Sequence, residues 1–187
     1  MSTATLKVAG FDAIRNGLLQ LPDRLATNSL ASAVNAGAAV IRDAARDKAP
    51  LYTGDVSQGH PPPGTLRRSI IVKAIRELST YYSKTAFVTV RRGKKYAKQG
   101  KKGNLSQDAF YWRWVEFGHY YAPREAGSRK ATMRAVRAGG RMVAGSFFVA
   151  AQPFMRPAYD AKKSAAVDAI KQRLLERIQQ HAAEMKK

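Results

Sequence analysis

The chain has 187 residues, 45% of them hydrophobic, and a formal net charge of +20 from 33 Lys+Arg against 13 Asp+Glu. That length suits one domain with long loops or arms, and the apolar share is enough for a core. No apolar run reaches the roughly 18 residues that span a bilayer, the first residues lack the basic and apolar stretches of a signal peptide, and the absence of cysteine excludes disulfides, thiolate metal sites and thiol catalysis and fits folding in the cytosol.

Phe11 to Leu21 reads as a short helix with Ile14, Leu18 and Leu21 on one face. Pro22-Asp23 restarts the pattern, and a long helix is predicted from there to Lys48. Its stripe is Leu25, Leu30, Val34, Gly37, Ile41 and Ala44 or Ala45. Much of that stripe is small, which predicts close approach by a sheet or a second helix. Ala49-Pro50 stops it, because a residue before proline disfavours the α region.

Leu51 to Gly64 is a loop punctuated by Thr53-Gly54, Gly59 and the stiff run Pro61-Pro62-Pro63-Gly64. Ser69 to Leu78 and Thr85 to Arg91 read as strands, joined through Tyr81-Tyr82-Ser83. Gly93 to Gln107 is a polar, basic loop or hairpin tip. In Gln107 to Phe117, Phe110, Trp114 and Phe117 are spaced as a helical face, although a strand also fits; Gly118 suits the end of a helix. Ser128 to Ala138 reads as a short basic helix stopped by Gly139-Gly140, and Met142 to Ala151 as a third strand.

Pro153 ends that strand because it lacks a ladder donor. Pro157 suits the first turn of a helix, where a missing N–H costs nothing. Ala151 to Ala158 is therefore a strand-to-helix corner, with Phe154 expected in the core. Pro157 to Ala182 is the last helix, with Tyr159, Val167, Ile170, Leu174 and Ile178 along one side. The expected fold class is α+β: a long N-terminal helix and a C-terminal helix packed on a small mixed or antiparallel sheet, with extended basic loops.

Catalytic constellations are poor. His60, His119 and His181 fall in a proline-rich loop, after a helix stop and in a C-terminal tail, with no metal-ligand spacing. Asp43 and Asp47 lie one helical turn apart, but Arg42, Arg46 and Lys48 beside them favour a salt-bridged face over a carboxylate dyad. Gly100-Lys101-Lys102-Gly103 lacks the strand–loop–helix setting of a phosphate loop. No enzyme activity, metal or cofactor is expected.

The charge is concentrated. Lys84 to Lys102 holds eight basic residues and no acid; Arg124 to Arg141 holds six and Glu125 alone. Arg91, Arg92, Lys94, Lys95, Lys98, Lys101 and Lys102, with Tyr96 among them, form one candidate contact surface for DNA, RNA or an acidic protein. Arg129, Lys130, Arg134 and Arg137 form another. Plain solvation is the third reading of the first. Base-specific reading is not expected, since no nucleic-acid recognition signature occurs.

Five short motifs come in a set order: Ala49-Pro50, Thr53-Gly54, Leu66-Arg67-Arg68-Ser69-Ile70, Val115-Glu116-Phe117-Gly118, and Gln152-Pro153-Phe154-Met155-Arg156-Pro157-Ala158. Together they resemble the neck or tail-completion proteins of long-tailed bacteriophages, relatives of the lambda tail-completion protein. The resemblance covers about residues 10 to 180. It assigns a structural role to Pro50, Thr53, Gly54, Ser69, Glu116, Phe117, Gly118, Gln152, Pro153, Phe154, Arg156 and Pro157. The chain departs from the family pattern by insertions at about 55–65, 92–107 and 119–141, within a single domain over 1–187.

The resemblance implies a non-enzymatic virion part, assembled in the host cytoplasm, at the head-proximal end of the tail. It implies a ring oligomer, a hexamer in count, touching a head-closure ring, a tail terminator, the tail tube and packaged DNA, with no membrane partner. Tail terminator and head-closure ring subunit are the neighbouring readings. Nonspecific nucleic-acid binding is the reading of another class, motivated by charge alone.

Overall fold

The computed structural model describes residues 11–19, 23–52, 62–81, 83–93, 108–121 and 147–184. Its elements in chain order are α1 (Phe11–Leu19), α2 (Asp23–Lys48), α3 (Thr65–Ser69), β1 (Ile70–Ala74), β2 (Ala86–Val90), α4 (Trp112–Phe117), β3 (His119–Tyr121), β4 (Phe147–Val149) and α5 (Met155–Glu184). This is the expected α+β arrangement, with the long first and last helices as its frame. Among the described residues the strands form two two-stranded antiparallel sheets, β1–β2 and β3–β4.

Of the stripe predicted on α2, the small residues Gly37, Ala44 and Ala45 are buried, and Ser29 and Ala33, outside that predicted stripe, are buried with them; α5 lies along these residues in the opposite direction. Ser32 meets Arg173, Gly37 meets Ile170, and Ala44, Ala45 and Ala49 share a cluster with Phe154 and Ala158. At the closest point there is no room for a side chain. A Cβ on Gly37 would lie 2.5 Å from Ile170 Cγ1 and 2.8 Å from the Ala166 carbonyl oxygen. The larger residues of the predicted stripe, Leu25, Leu30, Val34 and Ile41, are half-buried at its margins.

Two apolar clusters flank this contact. At one end Ile14 of α1 packs with Ala33 and Leu174, against Leu30, Ile170 and Ile178. At the other, Leu66, Ile70, Val90, Ala109 and Phe154 fill the space between the two helices and β1–β2. Phe154 is fully buried, as its position between the prolines predicts. The register pairs Ile70 with Val90 and Val72 with Val88. With side chains alternating along a strand, those residues turn inward while Lys73 and Phe87 turn to solvent.

Several expectations shift. The strand predicted from Ser69 begins at Ile70, because Thr65–Ser69 closes into a helical turn after the proline run. Thr65 donates both its N–H and its hydroxyl to the Pro62 carbonyl, and Gly64 supplies φ 74° at the entry. The strand also stops at Ala74, short of Leu78. Ser79 folds back there, accepting the Thr85 N–H and donating to the Ile75 carbonyl. The connection therefore runs from Ile75 to Thr85.

Helix is the conformation between Gln107 and Phe117, but only over α4; Ala109 to Tyr111 make the turn that leads in. Gly118 then adopts φ 72° with ψ 169°. That extended ψ sends the chain straight into β3, a strand not expected from the sequence. Its partner β4 is the described remnant of the strand predicted over Met142–Ala151; 141–146 lie outside the described residues, as does the helix expected at Ser128–Ala138.

The last helix extends past both predicted ends, and His181 is buried on α5 rather than lying in a tail. Its buried positions are Ala158, Ala166, Leu174 and His181. Tyr159, one residue off that line and so about 100° around the helix, faces solvent instead of the core.

Candidate functional site

The family motifs meet in space as two clasps. The first joins α4 to the start of α5. A helix begins with four backbone N–H groups that have no partner inside it. Here Glu116 reaches across and accepts three of them: Phe154 at 2.8 Å, Met155 at 3.0 Å and Arg156 at 3.2 Å. The fourth position is Pro157, which has no N–H to satisfy. The Glu116 carboxylate, buried to 5% exposure, also faces the positive end of a 30-residue helix dipole.

Neighbouring atoms close this clasp further. Gln152 donates its N–H to the Val115 carbonyl at 2.8 Å. Gly118 is pressed against the same segment: a Cβ there would sit 2.6 Å from Phe148 Cζ and 2.8 Å from the Val149 carbonyl oxygen. Glycine is thus required twice, by positive φ and by close approach. The side chains of Phe117, Gln152, Pro153 and Arg156 point to solvent; Phe117 and Arg156 contribute to the clasp through backbone or sequence position only.

The second clasp ties the end of α2 to the entry of β1. Arg67 Nε donates to the Ala49 carbonyl at 2.9 Å. Arg46 donates Nε and Nη2 to the Ile70 carbonyl at 3.1 and 2.7 Å. Ser69 is fully buried, and its carbonyl accepts the Arg91 N–H. Pro50 follows Ala49 directly and is half-buried. Thr53 and Gly54 lie outside the described residues.

Outside the clasps the polar groups offer little chemistry. Arg42 binds Asp43 through Nε and Nη2 at 2.8 Å each, and Arg46 approaches the same carboxylate at 3.7 Å. The Arg42 hydrogen bonds hold the Asp43 carboxyl below the usual range, which is the salt-bridged face expected there. Burial pushes the Tyr111 hydroxyl up. Among the described residues no three of His, Asp and Glu converge as metal ligands, and no helix is long and apolar enough to cross a membrane.

Of the basic candidates, Arg91 and Arg92 are described. Both stand where β2 ends: Arg91 is half-buried, its carbonyl accepting the Ala109 N–H, and Arg92 is exposed. Gly93 is anchored by its N–H to Asp108 Oδ1 at 2.8 Å. Gly93 and Asp108, the described residues on either side of 94–107, thus lie next to each other. Lys94, Lys95, Lys98, Lys101, Lys102, Arg129, Lys130, Arg134 and Arg137 lie outside the described residues.

Beside the first clasp lies a surface not anticipated from the sequence. Trp114 and Phe117 lie on α4 and Phe110 in the turn before it, and all three face outward at 46–63% exposure. Trp114 meets Phe110 edge-on at 5.9 Å and stacks on His119 at 5.5 Å. On β3–β4, Tyr120 pairs with Phe148 and Tyr121 with Phe147, both at 5.1 Å between ring centroids. All four rings are about half exposed. The sequence signal was the doublets Tyr120-Tyr121 and Phe147-Phe148. Adjacent strand residues point to opposite faces, so one buried face cannot absorb both.

A scan against protein-family models matches residues 12–118 to the family described as "Bacteriophage HK97-gp10, putative tail-component". The chain belongs to this family. The match covers more than half of the 187 residues. No curated protein and no solved structure matches.

Membership in this phage tail-component family supports a structural role in the tail or neck, and with it a place in the virion. It also gives the clasps a boundary. The family match runs from α1 through Gly118, which includes both halves of the second clasp and the α4 half of the first. The α5 half, Gln152 to Ala158, lies beyond the matched segment, yet its backbone is gripped by Glu116 inside it.

Proposed function

We propose that the protein is a structural subunit of the phage neck. In this reading it completes the head-proximal end of the tail and helps join the tail to the DNA-filled head, without catalysing a reaction. One observation carries it: a scaffold held by internal clasps presents half-exposed aromatic rings on α4, β3 and β4. Contiguous apolar surface of that kind marks protein–protein contact. The order of the five motifs supports the neck over other tail positions.

The subunit works as one member of a ring, sixfold in count. Head-to-tail contacts between copies close into rings. A ring of +20 subunits favours polyanions, either acidic rings above and below or the end of the packaged DNA. Tail-terminator and head-closure positions are the neighbouring assignments within the same reading.

Electron microscopy of particles assembled without this protein tests it. Tails should be defective at the head-proximal end and fail to join heads. Normal infectious particles would sink the proposal. Binding to linear DNA across a salt series separates the other class: tight binding with a steep salt slope, and no particle defect, would make the protein a nucleic-acid binder instead.

A further inference from the structure

A row of exposed rings runs between the roots of the two most basic segments of the chain, and we propose that this row stacks the bases of an unpaired DNA strand. The DNA is that of the neck reading above, on which this assignment rests. At one end of the row Gly93 and Asp108 lie next to each other, two residues from Phe110. At the other end Tyr121 and Phe147 face each other across β3–β4. The chain between the first two residues, 94–107, carries five lysines and no acid. The chain between the second two, 122–146, carries six basic residues and Glu125. Each is a net +5, so half of the chain's +20 leaves from the two ends of the row. Arg92, beside Gly93, and Arg113, beside Trp114, are exposed along it.

The rings between those ends follow one side of the surface. Phe110 meets Trp114 edge-on at 5.9 Å, and Trp114 stacks on His119 at 5.5 Å. Side chains alternate along a strand, so His119 shares its side of the hairpin with Tyr121 and with Phe147, whose ring lies 5.1 Å from that of Tyr121. Phe110, Trp114, Tyr121 and Phe147 are 46–56% exposed. Tyr120 and Phe148 occupy the opposite side and, with Phe117, keep the protein contact proposed above.

Rings and charge together select the occupant. Single strands are held where basic groups track the phosphates and aromatic faces stack successive bases, with little regard to sequence. A duplex keeps its bases stacked on one another and meets proteins largely through phosphates and groove edges, so the row would gain nothing from it. An acidic protein would answer the basic segments but brings carboxylates to a row of rings. An unpaired strand brings both phosphates and open base faces.

The full chain is titrated with a fluorescent DNA single strand of about 20 nucleotides and with the matching duplex, over a salt series, and binding is read by anisotropy. The single strand should bind at least about tenfold more tightly than the duplex. Phe147→Ala and Trp114→Ala should each weaken single-strand binding by about five- to hundredfold. Their duplex affinity and salt slope should not change, because neither ring carries charge. Phe148→Ala, on the opposite side of the same strand, should bind as the wild type does. Circular dichroism checks the fold of each variant, and the wild-type ratio of single strand to duplex decides even where a variant does not fold.

Equal affinity for single strand and duplex would overturn the proposal, as would equal losses from Phe147→Ala and Phe148→Ala. Tighter binding of the RNA strand of the same sequence would give the row to RNA, and no binding of single strands would return it to a protein partner; either overturns it too. Particles made without the protein keep the two readings apart. Unjoined tails preserve the neck role even when the strand does not bind, and normal infectious particles remove that role while the binding result stands.

Discussion

The two hairpins of this chain are built alike and used differently. In β1–β2 the inward residues Ile70 and Val90 are buried under α2 and beside Phe154, and the outward positions are Lys73, Phe87 and Thr89. In β3–β4 both faces carry exposed aromatic rings, and among the described residues the pair of strands meets the rest of the chain at Gly118, at the Trp114–His119 stack and through the residues that follow Val149. Strand pairing alone therefore does not make a hairpin part of a core. The first is ordered by the side chains it buries in its own chain. The second is joined to the scaffold by a clasp at its root, and its four rings stay about half exposed.

Substitutions can break or sharpen this contrast. Phe154→Ala should have the largest effect, about 3–5 kcal/mol, because it empties the space that β1–β2 and both long helices share; a thermal melt by circular dichroism checks it. Ile70→Ala removes the inward side chain of β1 and should cost about 2–5 kcal/mol in urea unfolding. An unchanged midpoint would erase the distinction between the hairpins.

The root of the second hairpin comes next. Glu116→Gln keeps the size but supplies one acceptor oxygen and no charge for three N–H groups. A loss of about 2–3 kcal/mol is expected, from unsatisfied donors and the lost dipole interaction. Hydrogen exchange should show the first turn of α5 opening first. Gly118→Ala meets positive φ and the Val149 carbonyl, for about 1–3 kcal/mol. Phe148→Ser should be mildest in the dilute monomer, about 0.5 kcal/mol for one cross-strand pair. A loss there as large as that of Ile70→Ala would mean that the second hairpin is core after all.

Much of the frame was legible. The 26 residues of α2 followed from spacing, from the Pro22-Asp23 restart and from Ala49-Pro50. The corner at Pro153 to Pro157 and the burial of Phe154 followed from proline geometry. What escaped was short or long-range. β3 is three residues placed directly after a helix, too few for an alternation to show. α3 is one turn formed after a proline run, where propensity gives no periodic signal. The outward side of Phe110, Trp114 and Phe117 had the spacing of a core face, and spacing does not say which side a helix turns to its neighbours.

The sequence by itself determined where the long helices run, where small residues allow α2 and α5 to touch, and where proline ends one element and starts another. These are local constraints, set by sterics and hydrogen bonding within a few residues. Only the tertiary structure decided that a carboxylate 38 residues away completes the start of α5. It also decided that two arginines close the carbonyls at Ala49 and Ile70, and that most of the described aromatic rings face outward. Those outcomes depend on which surfaces the folded chain has already used, a quantity no window of residues contains.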